Sequence, residues 1–222
     1  MDDRELRCEL VDVARSMNSI GLNQGTSGNL SLRIAGGLLV TPSSLPYDQM
    51  EPEDLVAIDH GGNRLASDVV CRDRRPSSEW RLHADVLADR PDAIAVVHCH
   101  PIHSTALACH DRGIPPFHYM TAVAGGDDIR CAPYATFGTA ELSFHTVQAL
   151  QQRQACLLSH HGLVTLGRDL DQALKIAVEV ETLAQMYLQA LQLGDPPLLS
   201  PAQMEAVHRQ FQGLGYGKPP KD

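Results

Sequence analysis

Positive charge is scarce in this 222-residue chain: 18 Lys and Arg stand against 27 Asp and Glu, for a formal net charge of −9 at pH 7. Non-specific nucleic-acid binding needs a basic surface to neutralise phosphates, and an anionic membrane surface demands the same, so neither partner is expected. No apolar run approaches the roughly 18 residues that a membrane helix needs. The first residues, MDDRELRCEL, are too acidic and polar for a signal peptide. None of the six cysteines (Cys8, Cys71, Cys99, Cys109, Cys131, Cys156) belongs to a Cys-x-x-Cys pair, so reduced thiols in a cytoplasm are expected. Internal repeats, low-complexity tracts and linkers are also missing. A small phosphorylated substrate stays compatible with this balance, because backbone N–H groups and hydroxyls hold phosphate without a basic patch.

What is present is an ordinary globular composition, 43% hydrophobic, in a chain long enough to bury a core without disulfides or a structural metal. Any metal site is therefore expected to be functional. Helical spacing of Leu6, Leu10, Val13, Ala14 and Met17 predicts a helix over 3–20, followed by a polar loop from Gly21 to Ser31. Strands are expected at Asn29–Ile34, Leu38–Thr41 and Leu55–Ile58. Ser77 or Ser78 is expected to cap a helix running to about Ala88. Ala93–His100 is the strongest strand signal, closed by Pro101 and followed by a short helix over 102–110. Further strands are predicted at Arg130–Tyr134, Ala155–Ser159 and Leu163–Leu166. Helices are predicted at Thr139–Gln152, Leu170–Leu193 and Pro201–Phe211, with a mobile tail from about 213. This alternation indicates one α/β domain over 1–222.

His98 and His100 lie at i and i+2 on the predicted strand, so both imidazoles share one face while Cys99 points into packing. One more histidine would give three nitrogen ligands and an open fourth position, the layout of a catalytic metal site. Ser159-His160-His161-Gly162 ends another strand and offers two candidates, between which residue physics does not choose. His60, His110 and His208 are expected on the surface, and His83, His103, His118 and His145 in structural roles. Glu79 follows Ser77-Ser78 at a helix start. It suits the helix dipole there, or serves as a general base with the serines and free N–H groups holding an anion. Gly25-Thr26-Ser27-Gly28-Asn29 is a further candidate phosphate loop, and Pro42-Ser43-Ser44 offers hydroxyls from the other side.

The blocks GLNQGTSGNLS (21–31), VTPSSLPY (40–47), PSSEWRLH (76–83), VVHCHPIHSTA (96–106), HYMTAVAGG (118–126), CAPYATFGT (131–139) and LLSHHGLV (157–164), in this order, resemble the class II aldolase/adducin family. The resemblance implies a central, mostly antiparallel sheet flanked by helices on both faces. It implies a divalent metal, Zn²⁺ with Mn²⁺ or Co²⁺ as alternatives, held by His98, His100, His161 and, at rest, Glu79. His161 is favoured over His160 because the family ligand directly precedes the Gly of the His-Gly pair. Glu79 would become the acid/base once substrate binds, and Tyr119 would be the proton donor at the aldehyde oxygen, supplied across a subunit interface of a homotetramer. Gly28, Asn29, Ser43, Ser44, Ser77 and Ser78 would hold the phosphate of the sugar substrate. The implied reaction is retro-aldol cleavage of a ketose 1-phosphate, of the L-fuculose, 5-deoxyribulose or 5-methylthioribulose type, to dihydroxyacetone phosphate and an aldehyde. Tyr119 and HYMTAVAGG favour this over an epimerase, decarboxylase or dehydratase of the same superfamily, and the histidines with Glu79 argue against an adducin-like interaction module. Three departures bear on selectivity: Ser43-Ser44 stands where the family pattern has Thr-Gly, segment 65–75 is longer and more basic, and near the family's tail tyrosine this chain offers Leu214 or Tyr216.

Overall fold

Side chains alternate faces along a strand, and here both faces of most strands are apolar, so the sheet must be covered on both sides. The computed structural model describes residues 3–66 and 72–214. Its seven strands are β1 (Asn29–Ile34), β2 (Gly37–Val40), β3 (Val56–Ile58), β4 (Ala95–Cys99), β5 (Arg130–Ala132), β6 (Ala155–Leu158) and β7 (Gly162–Gly167). They form one sheet in the order β3-β2-β1-β4-β7-β6-β5, antiparallel throughout except between β5 and β6. Leu30, Leu32, Val97, Cys99, Leu157 and Leu163 pack against helices α1 (Asp3–Ser19), α3 (Ile102–Ala108) and α5 (Leu170–Leu191). Leu38, Val40, Val96, Cys156, Leu158 and Val164 pack against α2 (Trp80–Asp89) and α4 (Ala140–Ala149). This is the mostly antiparallel sheet with helices on both faces that the sequence led us to expect.

The differences are local. Three-residue 3-10 turns at Tyr47–Gln49 and Pro52–Asp54, and a longer one at Tyr119–Ala124, fall where no element was expected, because such short elements carry no periodic signal. Neither Ser77 nor Ser78 caps α2: the N-cap residue is Glu79, and its side chain makes no capping bond. The last helix, α6 (Pro201–Leu214), extends past Phe211 and takes in residues expected in the tail; Tyr216 and the rest of the tail lie outside the described residues.

The described part of segment 65–75 is spent on structure. The buried Asp54 carboxylate accepts from Arg72 Nη1 and Arg74 Nε, each at 2.8 Å, and from the Glu51 N–H at 3.0 Å. Burial would raise the Asp54 carboxyl, but Arg74, the Glu51 amide and Arg72 outweigh it and hold it below the usual carboxylate range. Its folded value thus lies below the unfolded value of about 3.9. Its contribution to stability is therefore fully present above that unfolded value and is lost as pH falls through the lower folded one. Asp54→Asn is expected to cost about 2 kcal/mol at neutral pH. Paired thermal melts at neutral and strongly acidic pH check this: the gap between variant and wild type should close in acid, and a gap that persists unchanged contradicts the account.

Candidate active site

The site assembles at the end of β4. The His98 side chain is fully buried on the α2 face of the sheet, and Nδ1–H donates to the Leu163 carbonyl of β7 at 2.9 Å, which turns Nε2 away from the strand. His100 follows just past the strand end. His161 comes from the turn between β6 and β7, the break expected between the two strands. His160 adopts φ 52°, a left-handed conformation that histidine tolerates better than most residues. That twist sends His160 toward Tyr134, with ring centroids 6.1 Å apart, while His161 joins His98 and His100. The three imidazole centroids form a near-equilateral triangle with sides of 4.8 to 4.9 Å.

Glu79 completes the cluster. Its Oε2 lies 3.3 Å from His98 Nε2, its Oε1 lies 3.4 Å from His161 Nε2, and the Nε2 atoms of His98 and His100 are 3.1 Å apart. Four ligand atoms at about 2.0–2.1 Å from a tetrahedral zinc-like ion are spaced about 3.3 Å from one another. The measured spacings match that edge, and Glu79 Oε1, buried without a hydrogen-bond donor, is the kind of orphan that a cation satisfies. The donor set therefore fits a divalent metal.

The electrostatics agree. Burial would raise the Glu79 carboxyl, but His98, His161 and the Asn29 amide reverse this and keep it ionised. Burial, reinforced by the neighbouring His98, pushes His100 down to about 3 and His161 to about 4, so both are neutral and free to ligate at neutral pH. For His98, burial acts downward but the Glu79 carboxylate outweighs it and the direction is upward.

A pocket of about 350 Å³ opens from this cluster. One wall comes from two loops laced side by side: Ser43 N–H donates to the Arg75 carbonyl, Ser77 N–H to the Thr41 carbonyl, and Pro42 bridges Pro76. Thr26, Ser27, Gly28, Asn29, Ser43, Ser44, Ser77 and Ser78 all line it, and among the described residues no Lys or Arg does. An oxyanion there would be met by hydroxyls and N–H groups. Ser44 sits at φ 59°, a left-handed conformation that glycine adopts most readily, and its hydroxyl lines the pocket.

Two glycines allow the close packing. A Cβ on Gly28 would lie 2.6 Å from the His98 carbonyl, and one on Gly162 would lie 2.5 Å from the Cys99 carbonyl and 2.8 Å from the His100 ring. The loop containing Gly28 is tied to β4 by Asn23, whose Oδ1 accepts from the His100 N–H at 3.1 Å.

Two expected site residues need comment. Asn29 turns its amide to Glu79, donating to Oε2 at 2.9 Å, which leaves its second N–H for an oxyanion. Tyr119 does not line the pocket of its own chain; it is 49% exposed, with its ring near His118 and Phe211. Tyr134 and Phe137 line the pocket and were not singled out beforehand, since no hydrophobic period marks that loop; His160, the candidate ligand passed over for His161, lines it as well. His103, His118 and His145 make structural contacts. His103 N–H and Nδ1 meet Glu181, which also accepts from Ser104; His118 caps the 3-10 turn at Met120 N–H; His145 Nδ1 donates to the Pro133 carbonyl. His60 and His110 are exposed, and His208, expected on the surface, is half-buried against Asp127.

The family model described as Class II Aldolase and Adducin N-terminal domain matches residues 8–188. The chain is 52% identical over 210 residues to a 5-methylthioribulose-1-phosphate/5-deoxyribulose-1-phosphate aldolase of Rhodospirillum rubrum, covering 95% of this chain and 92% of the relative. It is 45% identical over 216 residues to the L-fuculose phosphate aldolase of Escherichia coli K12, covering 97% and 98%. Among solved structures, an L-fuculose 1-phosphate aldolase superposes with a TM-score of 0.88 at 35% identity, covering 94% of this chain and 96% of that one. The chain belongs to the class II aldolase and adducin family.

Gly162→Ala is expected to push the His100 ring and the Cys99 carbonyl apart and to loosen the ligand triangle. The purified variant should keep its far-ultraviolet circular dichroism but retain much less divalent metal than the wild type after dialysis against a chelator. Unchanged metal retention contradicts the packing argument.

Proposed function

We propose that this chain cleaves a ketose 1-phosphate by a retro-aldol reaction, giving dihydroxyacetone phosphate and an aldehyde, and that residues 1–222 act as one domain. The observation that carries the reading is the cluster of three imidazoles and one carboxylate at metal-ligand spacing, opening onto a wall of hydroxyl and N–H groups. The names of the relatives supply the substrate class: 5-methylthioribulose, 5-deoxyribulose and fuculose phosphates. A divalent ion held by His98, His100 and His161, with Glu79 as the fourth ligand at rest, would act as a Lewis acid on the substrate carbonyl; we take it to be Zn²⁺, with Mn²⁺ or Co²⁺ as substitutes.

The residues divide the remaining work. Gly28, Asn29, Ser43, Ser44, Ser77 and Ser78 hold the phosphate and set the register of the sugar. As the C3–C4 bond breaks, Tyr119 takes the C4 hydroxyl proton and relays it to solvent, and the bonding electron pair stays with C3. Glu79, displaced by substrate and protonated from solvent, gives its proton to C3 to complete dihydroxyacetone phosphate, so the proton lost at O4 balances the one gained at C3. Tyr119 lies away from the pocket of its own chain, which supports its delivery from a neighbouring subunit of a homotetramer. We place the enzyme in the cytoplasm; the five described cysteines are free thiols, and no described helix is long and apolar enough to cross a membrane.

Glu79→Gln should lower turnover by orders of magnitude in metal-loaded protein, and an unaffected rate removes Glu79 as the base. Tyr119→Phe should impair cleavage more than hydrogen exchange into dihydroxyacetone phosphate, because exchange needs only Glu79; equal loss in both assays contradicts the division of labour.

A further inference from the structure

Behind Glu79, a row of buried polar side chains has no part in the reaction as described so far. Glu79 and His83 are four residues apart, on one face at the start of α2, a spacing of about 6 Å along a helix. Asn29 and Ser31 are two apart on β1, a spacing of about 6.8 Å along a strand. Helix and strand thus run in step, and the four side chains interleave: Ser31 Oγ lies 2.8 Å from His83 Nδ1, His83 Nε2 contacts Asn29 Oδ1, and Asn29 Nδ2 lies 2.9 Å from Glu79 Oε2. All four are at most 6% exposed, and Ser31 and His83 are fully buried, so water supplies no alternative partner.

Donor accounting fixes the direction of every bond. An ionised carboxylate only accepts, so Asn29 must present its NH₂ to Glu79 and its carbonyl oxygen to His83. His83 must then carry its proton on Nε2, which leaves Nδ1 to accept from the Ser31 hydroxyl. Burial pushes His83 down to about 3, which keeps the ring neutral, as this pattern requires. If Nε2 lost its hydrogen, nothing would stop the Asn29 amide from rotating by half a turn and setting its oxygen against the carboxylate.

We propose that His83 is a positioning residue which, as the Nε2–H tautomer set by Ser31, locks the Asn29 amide and thereby aims Glu79 at the three imidazoles. The assignment rests on the proposed role of Glu79 as the acid/base. It turns the structural role expected for His83 into a share in the chemical step: loss of the lock should lower kcat by a larger factor than it raises KM, since the same half-turn also removes the second Asn29 N–H from the phosphate wall.

Two measurements test it. The first uses metal-loaded variants. His83→Leu should lose about tenfold or more in kcat, as outer-shell substitutions do, with a smaller factor in KM. His83→Gln, whose amide N–H reaches the position of Nε2, should recover most of the loss. A folded, metal-loaded His83→Leu with wild-type kcat, or a Gln variant no better than Leu, overturns the proposal. The second needs no variant: ¹⁵N-histidine NMR of the wild-type holoenzyme should show His83 neutral and protonated at Nε2 at neutral pH. An Nδ1–H tautomer or an imidazolium reverses the chain and overturns the proposal even where His83→Leu fails to fold. Glu79→Gln run in parallel separates the two ideas. If it is inactive while His83→Leu is normal, only the lock fails. If it is fully active, the reading of Glu79 as base has failed, and the tautomer still decides the lock.

Discussion

Glu79 places a carboxylate among three imidazoles, buried to 6% exposure, with one oxygen lacking any hydrogen-bond donor. An ionised carboxylate in such a place costs several kcal/mol unless something of opposite charge or strong donor character compensates. The neighbourhood supplies part of that. Asn29 donates to one oxygen, and His98 and His161 each approach to within 3.4 Å. A cation at the focus of the cluster would supply the rest. The tension between burial and charge explains why so much of the chain is devoted to this corner: the hydrogen bond from His98 to Leu163, the glycines at 28 and 162, and the tether from Asn23 to His100 all restrict where the donor atoms can move.

The sheet gives the site its rigidity. β4 sits at the centre, flanked by β1 and β7, so the end that carries His98 is paired on both sides. Glu181 of α5 accepts from the His103 and Ser104 N–H groups in the first turn of α3 and fastens the chain soon after it leaves β4. In contrast, the wall proposed for phosphate is made largely of loop residues, the exposed Ser43, Ser44 and Ser78 and the half-exposed Gly28, with the buried Ser77 and Asn29 behind them. The residues proposed as metal ligands thus sit on or directly beside paired strands and a helix start, and most of those proposed for phosphate sit on loops. This division accords with the variation in substrates among the relatives' names while the family pattern persists.

Much of this was legible in the sequence, for identifiable reasons. The His98–His100 pair follows from strand period alone, and Cys99 does pack on the opposite face. The choice between His160 and His161 was not legible that way, because strand alternation does not apply to a turn in which His160 is left-handed. Glu79 was visible as a helix-start carboxylate, but its being the N-cap residue itself, turned inward rather than capping, depends on how α2 docks on β1 and β4. His83 gave no signal beyond a buried histidine; its partners lie more than fifty positions earlier in the chain. The basic segment after position 64 suggested a role in selectivity, yet Arg72 and Arg74 are absorbed by Asp54.

The account stands or falls on what the imidazole triangle holds. X-ray absorption at the metal edge of protein purified without added metal measures this most directly. The account predicts one divalent first-row ion per chain with only nitrogen and oxygen neighbours at about 2.0–2.2 Å and the outer scattering of imidazole rings. Absence of a tightly held ion, or a sulfur shell at about 2.3 Å, would contradict it.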